Sequence, residues 1–389
     1  MSSGDALARP ETRGEEEKRT GFIELFFDLV FVFAFTQVTT LLLEDTSAAG
    51  FARAALVFAL VWWAWSAYAW LTDAVDVENV PTRLFIFGAM VATFFMALAV
   101  PDAYVDEAAW FAIAYFVVRV LHIALYLWGV RHDPVQLMAV GRLAPWFLVA
   151  PTIVLVGGFT DDPLRTSLWV ASLAVDVVGT LFAGRAGAGF QVGASHFAER
   201  FALIVIIALG ESIVAIGLAA DELTQDIVYA FAVAVSFAGA AAAWWAYFDF
   251  VQLAAERALH RAGEAARGPL ARDLFTFFHY PIVLGIIFLA VAAKKTLAAP
   301  TEPLSDGGRA ALALGMGLFV LGFVLIRLRV IRRIAWERIA AAVVVGGAVL
   351  LLDETDALVL LTLAVFALVV ALAVEAFRLR DIRAGLRRG

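Results

Sequence analysis

Phe22-Ile23-Glu24-Leu25-Phe26-Phe27-Asp28-Leu29-Val30-Phe31-Val32-Phe33-Ala34 opens the first hydrophobic stretch of the chain and sets two carboxylates inside it. Its core, Phe22-Ile23-Glu24-Leu25-Phe26 with Asp28 beyond, returns as Phe197-Ala198-Glu199-Arg200-Phe201 with Glu211 beyond. Ionised groups in bilayer hydrocarbon cost roughly several kcal/mol, so they are rare there and either line a pathway or pair with one another. The reading is of a duplicated membrane protein with a charged interior.

Composition sets the class. Of 389 residues 63% are hydrophobic and 17% charged, and the mean hydropathy is +0.87. That is more apolar surface than one soluble core can hide, so an all-α integral membrane protein is expected. Membrane lipids are then its surroundings, with a small ion or solute as the possible substrate. The absence of cysteine excludes disulfides and thiolate metal sites. No His-Glu-x-x-His or Gly-x-Ser-x-Gly motif is present, so no cofactor, metal or catalytic residue is assigned. The net charge of -7 is dispersed among loops and gives no reason to expect a nucleic-acid partner. Residues 1–20 are polar and mixed in charge, without the apolar core of a cleavable signal peptide.

Apolar stretches between polar breaks give twelve candidate transmembrane helices. They run near 22–43, 51–72, 83–101, 109–129, 143–158, 166–183, 200–219, 226–250, 274–297, 308–326, 336–352 and 356–376. Under this division 23 of the 29 Lys and Arg residues fall on the side of the two termini. By the positive-inside rule both termini are cytoplasmic, in a multi-pass membrane protein. Two six-helix repeats in parallel orientation follow, 21–183 and 196–376, joined by a linker at 184–195 and flanked by a polar tail at 1–20 and a basic tail at 377–389. A second paired feature supports the duplication: Trp62-Trp63-Ala64-Trp65 with Asp73 is answered by Trp244-Trp245-Ala246-Tyr247 with Asp249. The Gly184 to Gly189 run has no preceding strand and reads as part of the linker, not as a nucleotide loop. The fifth and eleventh spans are the short ones, interrupted by Pro145, Pro151 and Gly157-Gly158 and by Gly346-Gly347. Short, broken spans at corresponding positions are a pointer to a transport site, although Gly and Pro are also simply commoner in membrane helices.

The polar residues sort by depth. Arg119, Asp176 and Glu211 are assigned to the midplane, and Glu24, Asp28, His196, Glu199, Arg200, Asp249 and His279 to the cytoplasmic half. Arg119, His122 and Tyr126 follow helical spacing and share a face. Glu24, Glu199, Arg200, Asp249 and His279 lie within about two turns of an interface, where water relieves the cost and a structural role serves as well as a functional one. For the midplane set the structural alternative is a buried ion pair, Arg119 with Glu211 or with Asp176.

Glu24 to Ala34 with Thr36-Gln37, and His196-Phe197-Ala198-Glu199-Arg200-Phe201 through Gly210-Glu211-Ser212-Ile213, resemble the signatures of the bacterial low temperature requirement A (LtrA) family. Trp244 to Asp249 and His279-Tyr280-Pro281 fit the same pattern, so the resemblance covers about residues 21 to 376. It implies the membrane fold and supplies neither substrate nor catalytic residues. Phe26-Phe27-Asp28 is also faintly similar to the Phe-Ser-Asp motif that opens each repeat of a potassium-channel family. Phe27 replaces the serine here, and the second half has Phe201-Ala202-Leu203. Three function classes are expected in this order: a proton- or cation-coupled secondary transporter, a cation channel, and a membrane-embedded lipid-modifying enzyme. In the first, Glu211, tuned by Arg119 with or without Asp176, is the midplane protonation or cation site, and Glu24, Asp28 and Asp249 form a cytoplasmic vestibule. Oligomeric state is left open.

Overall fold

The computed structural model describes residues 19–185, 192–219 and 227–380. Both outer tails, the break at Asp221-Glu222 and most of the glycine-rich linker lie outside the described residues. Fourteen α-helices occupy them: α1 Phe22–Glu44, α2 Ala48–Ala74, α3 Val80–Leu98, α4 Ala108–Gly129, α5 Pro134–Gly158, α6 Leu164–Arg185 and α7 Ala194–Ala219. After these come α8 Ile227–Phe248, α9 Val251–Arg261, α10 Glu264–Ala271, α11 His279–Ala298, α12 Asp306–Ile331, α13 Trp336–Leu351 and α14 Ala357–Arg378. A π-helical segment, Arg272–Phe277, joins α10 to α11. No strand is found among the described residues beyond one isolated bridge between Pro303 and Asp356.

Polar residues in the short connections start these helices by satisfying the exposed first-turn N–H groups. Ser47 accepts from Gly50 N at 3.2 Å, Asn79 from Thr82 N at 2.9 Å and Ser305 from Gly308 N at 3.3 Å. Asp133 receives Val135 N at 2.9 Å and Gln136 N at 3.1 Å, with Pro134 as the first helical residue. Eleven stretches are long and apolar enough to cross a bilayer, α8 counting with α9 and α10 with α11. Helix α13, with 16 residues, is shorter than the roughly 20 a full crossing needs, yet it packs between α12 and α14. Large apolar side chains face outward, among them Phe94, Leu350, Phe366 and Phe377. A water-soluble surface would not carry them so densely, and the chain is a polytopic membrane protein.

Three expectations change. The fifth span is not short: capped by Asp133, α5 runs 25 residues straight through Pro145 and Pro151. The stretch between the eighth and ninth spans is not a loop, because α9 and α10 fill it, α9 burying Val251, Ala254, Ala255 and Leu259. Helix α7 begins at Ala194, not 200, which brings His196 into its first turn.

Packing follows one order twice. Helix α1 packs on α2 and α3, α3 on α4, α4 on α5, α5 on α6, and α2 on α6. Likewise α7 packs on α8 and α11, α11 on α12, α12 on α13, α13 on α14, and α8 on α14. The two sets meet where α1 lies on α7 and where α2 reaches the π-helical segment. There Trp62 Nε1 donates to the Thr276 carbonyl at 2.8 Å and Trp70 Nε1 to the Thr276 hydroxyl at 3.0 Å. At Gly285 of α11 the backbone of α12 comes so close that a Cβ would stand 2.5 Å from Phe319 N.

Candidate functional site

Helices α1 and α7 run in the same direction and meet along a polar seam. On the α1 side the participants fall four, four and eight residues apart, whole turns or nearly so, and so share a face: Thr20, Glu24, Asp28 and Thr36. Thr20 donates from N and Oγ1 to Glu199 Oε2, at 3.0 and 2.9 Å. Glu24 meets His196 Nε2 at 3.1 Å. Asp28 receives Arg200 Nη1 at 2.9 Å, with Nη2 also 2.9 Å from its other oxygen. Nearer the opposite end, Thr36 Oγ1 stands 2.6 Å from Glu211 Oε2.

The first part of the seam is a contiguous ionic ladder. His196 is held from both sides, its Nδ1 2.9 Å from Asp73 at the end of α2 and its Nε2 on Glu24. Both neighbours are carboxylates, which only accept when ionised, so two protons have to be shared among these three groups. Asp73 also accepts from Gly193 N at 3.0 Å, which fixes the entry to α7, and Glu24 accepts from Gly21 N at 2.7 Å, which fixes the start of α1. Trp65 Nε1 adds a second donor to Asp28 at 2.8 Å, and Arg200 Nε lies 3.8 Å from Glu24. Glu24, Asp28, His196 and Arg200 are each at most 1% exposed. Three carboxylates thus face one guanidinium and one imidazole away from bulk water, held by ion pairing and by the hydrogen bonds to His196, Arg200 and Trp65.

Beyond Arg200 the seam turns apolar. Phe31, Phe35, Phe201, Ile204 and Ala208 are buried, and Phe201 packs edge-on against Trp65 at 4.8 Å. Eight residues separate Asp28 from Thr36, about 12 Å of helix without a polar contact between α1 and α7 among the described residues.

The remaining sequence candidates are distributed elsewhere. Arg119 of α4 pairs with Asp176 of α6 through two bonds of 2.9 and 3.0 Å and touches the Tyr115 hydroxyl at 3.1 Å. Of the two partners expected for Arg119, Asp176 is the one it has. Glu211 is not part of that group: it sits eight residues before the end of α7, against Thr36. His122 packs among Tyr68, Tyr126 and Phe147, with ring centroids 5.4 to 5.9 Å apart. His279 gives Nδ1–H to the Leu274 carbonyl at 2.8 Å, which leaves Nε2 as the acceptor for the Tyr247 hydroxyl at 2.7 Å. Fully paired and buried, it stitches α8 and the π-helical segment together. Asp249 stands at the turn between α8 and α9. No set of three or more His, Asp or Glu side chains among the described residues is arranged to hold a metal ion.

The model of the bacterial low temperature requirement A protein (LtrA) family matches residues 19–374, taking in the ladder, the Arg119 pair and Glu211. The chain belongs to the LtrA family. It is similar to an uncharacterized protein of Rhizobium meliloti (strain 1021), 34% identical over 296 residues that make up 74% of this chain and 72% of that one. No solved structure is significantly similar to it.

In this LtrA-family chain the sequence reading overlooked Asp73, Thr36 and Trp65 as site residues. It also overlooked a second ionic group at the ladder end, where α12, α13 and α14 meet. Arg327 pairs with Glu337, and Arg338 Nε donates to Glu375 Oε2 at 2.5 Å with its guanidinium 4.2 Å from the Phe323 ring. Asp73 had one signal, its matched position with Asp249 after the paired tryptophan motifs. The second group had none, because its arginines look like ordinary cytoplasmic positive charge.

Proposed function

We propose that this LtrA-family protein is a secondary transporter of the bacterial inner membrane that couples movement of its substrate to a proton or another small cation. The ladder carries the reading: three buried carboxylates, Glu24, Asp28 and Asp73, against two cationic side chains, His196 and Arg200. With all five charged, the group is one negative charge in excess. Binding a single proton or monovalent cation neutralises it, and release restores the charge, which is the cycle a coupled transporter needs in low dielectric. The location supports the reading, since α1 and α7 are the first helices of the two runs that share one packing order, and transport sites lie where such repeats meet. The same order supports two six-helix halves. The distribution of Lys and Arg supports cytoplasmic termini, with the ladder towards the cytoplasm. The opposite end is rich in carboxylates, including Asp45, Asp102, Asp106, Asp161 and Asp162, which would concentrate cations there.

A cation channel is the second reading, favoured by the apolar stretch between Asp28 and Thr36, which would serve as a hydrophobic gate. Purified protein in proteoliposomes under imposed proton, sodium and potassium gradients separates the two. Coupled transport predicts slow, saturable movement of one ion that depends on a gradient of another. Rapid movement of one ion down its own gradient alone would favour the channel.

A further inference from the structure

We propose that Glu211 is a second proton-binding site, set at the end of the α1–α7 seam opposite the ladder and served by the Thr36 hydroxyl. The geometry that points to it is a hydroxyl with two acceptors. Thr36 Oγ1 lies 2.6 Å from Glu211 Oε2 and 3.2 Å from the Val32 carbonyl of its own helix. A hydroxyl has one hydrogen and two acceptor lone pairs, so it cannot donate to both at once. With Glu211 ionised, Thr36 donates to the carboxylate. With Glu211 protonated, the carboxyl O–H donates to Thr36 Oγ1 and the threonine hydrogen turns to Val32 O. Both protonation states are satisfied by rotation of one hydroxyl, with no heavy atom displaced.

The surroundings favour a proton over a metal cation. Lys294 of α11 is the charged group that acts on Glu211. Its ammonium opposes a metal ion, whereas a proton on Glu211 only removes its counter-charge. The other charges on helices packed against α7 are engaged or distant. Glu24, Asp28 and Asp73 belong to the ladder, and His279 is paired with Tyr247. Arg53 of α2 pairs with Asp162 at 3.2 Å, Lys295 lies along Gly308 of α12, and α8 has no ionisable carboxylate or cation. Glu44 ends α1, and Glu256, Arg257, His260 and Arg261 of α9 stand at the ladder end, where Ser195 bonds Glu256 and His260. The inference deepens the transport reading by giving the coupling proton a station on the far side of the apolar stretch.

The test needs no transport. Dicyclohexylcarbodiimide modifies protonated carboxyl groups in apolar surroundings, and peptide mass mapping of the purified full chain across a pH series reads the modification at Glu211. The expected result is labelling of Glu211 that falls at least tenfold as pH rises. In Lys294→Gln, labelling at neutral pH increases severalfold, because loss of the ammonium favours the protonated form. No labelling of Glu211 at any pH, or labelling indifferent to both pH and Lys294, overturns the inference. A pH-dependent, Lys294-sensitive label in a protein that moves no ion would leave this site standing and remove the transport reading.

Discussion

Arg200 bears more of the ladder than any other side chain: it meets Asp28 twice at 2.9 Å, approaches Glu24 at 3.8 Å and is 0% exposed. Removing one member of a buried pair strands the other, so Arg200→Ala is expected to cost about 3–5 kcal/mol in stability. Arg200→Ala combined with Asp28→Ala should cost less than Arg200→Ala alone, as read by thermal unfolding in detergent. A double variant at least as damaged as the single one would mean that the two charges do not support each other. The same comparison at Arg119 and Asp176 should give the same sign. At this scale the sequence was informative about which polar residues matter and poor on who meets whom. Glu24, Asp28, His196 and Arg200 stood out because carboxylates and cations at four-residue spacing inside apolar spans have few other uses. Asp73 did not, because it closes α2 at a span end where a charge is unremarkable.

Helices α11 and α12 form the tightest pair because glycine lets their backbones touch. A methyl group at Gly285 would meet Phe319 N at 2.5 Å and the Gly315 carbonyl at 2.8 Å, both backbone atoms that cannot swing aside. Gly285→Ala should therefore cost about 1–3 kcal/mol through overpacking. Gly317→Ala, two residues from both Gly315 and Phe319 and so on the opposite face of α12, with nothing within 4 Å of its added methyl, should be neutral or slightly stabilising. Equal losses at the two positions would show that helix propensity and not close approach governs this pair. The start of α5 makes a pH prediction. Backbone donation from Gln136, with Val135 and the Gln136 side chain assisting, holds the Asp133 carboxyl below the usual carboxylate range. A group lowered on folding contributes stability above its ordinary value and loses it as pH falls through the lowered one. First-turn amides of α5 should thus stay protected from neutral to mildly acidic pH and open only in stronger acid, and Asp133→Ala should exchange faster than wild type at neutral and mildly acidic pH, with the difference vanishing in stronger acid. Hydrogen exchange read by mass spectrometry decides it. That cap, Pro134 included, was visible in the sequence but was outweighed by Pro145 and Pro151, which made the span look broken. Neighbouring helices α4 and α6 hold α5 on both sides, and a packed membrane helix tolerates proline.

Across the whole molecule, the order of spans was legible, and eleven of the twelve expected are long and apolar enough to cross, because bilayer thickness fixes a length and the breaks are short and charged. What lay beyond reach was the assembly: hydropathy reports that α1 and α7 cross a membrane, not that they lie side by side, and the ladder exists only through that contact. The absence of cysteine makes the proposed orientation directly checkable. A single cysteine at Asp133 should react with a membrane-impermeant maleimide only from the cytoplasmic side, and one at Asp102 only from the opposite side. Coupling through the ladder is tested most directly by ion flux in proteoliposomes, wild type against Glu24→Gln at equal protein insertion. Glutamine keeps the side-chain shape and an acceptor for Gly21 N while deleting one of the three carboxylates, so the excess charge is gone before any proton or cation binds. The account predicts that wild-type protein moves protons against an imposed sodium or potassium gradient and that Glu24→Gln, folded to the same thermal midpoint within a few degrees, does so at least tenfold more slowly. Equal flux in the two proteins, or wild-type flux no faster than that of protein-free vesicles under every gradient, would contradict it.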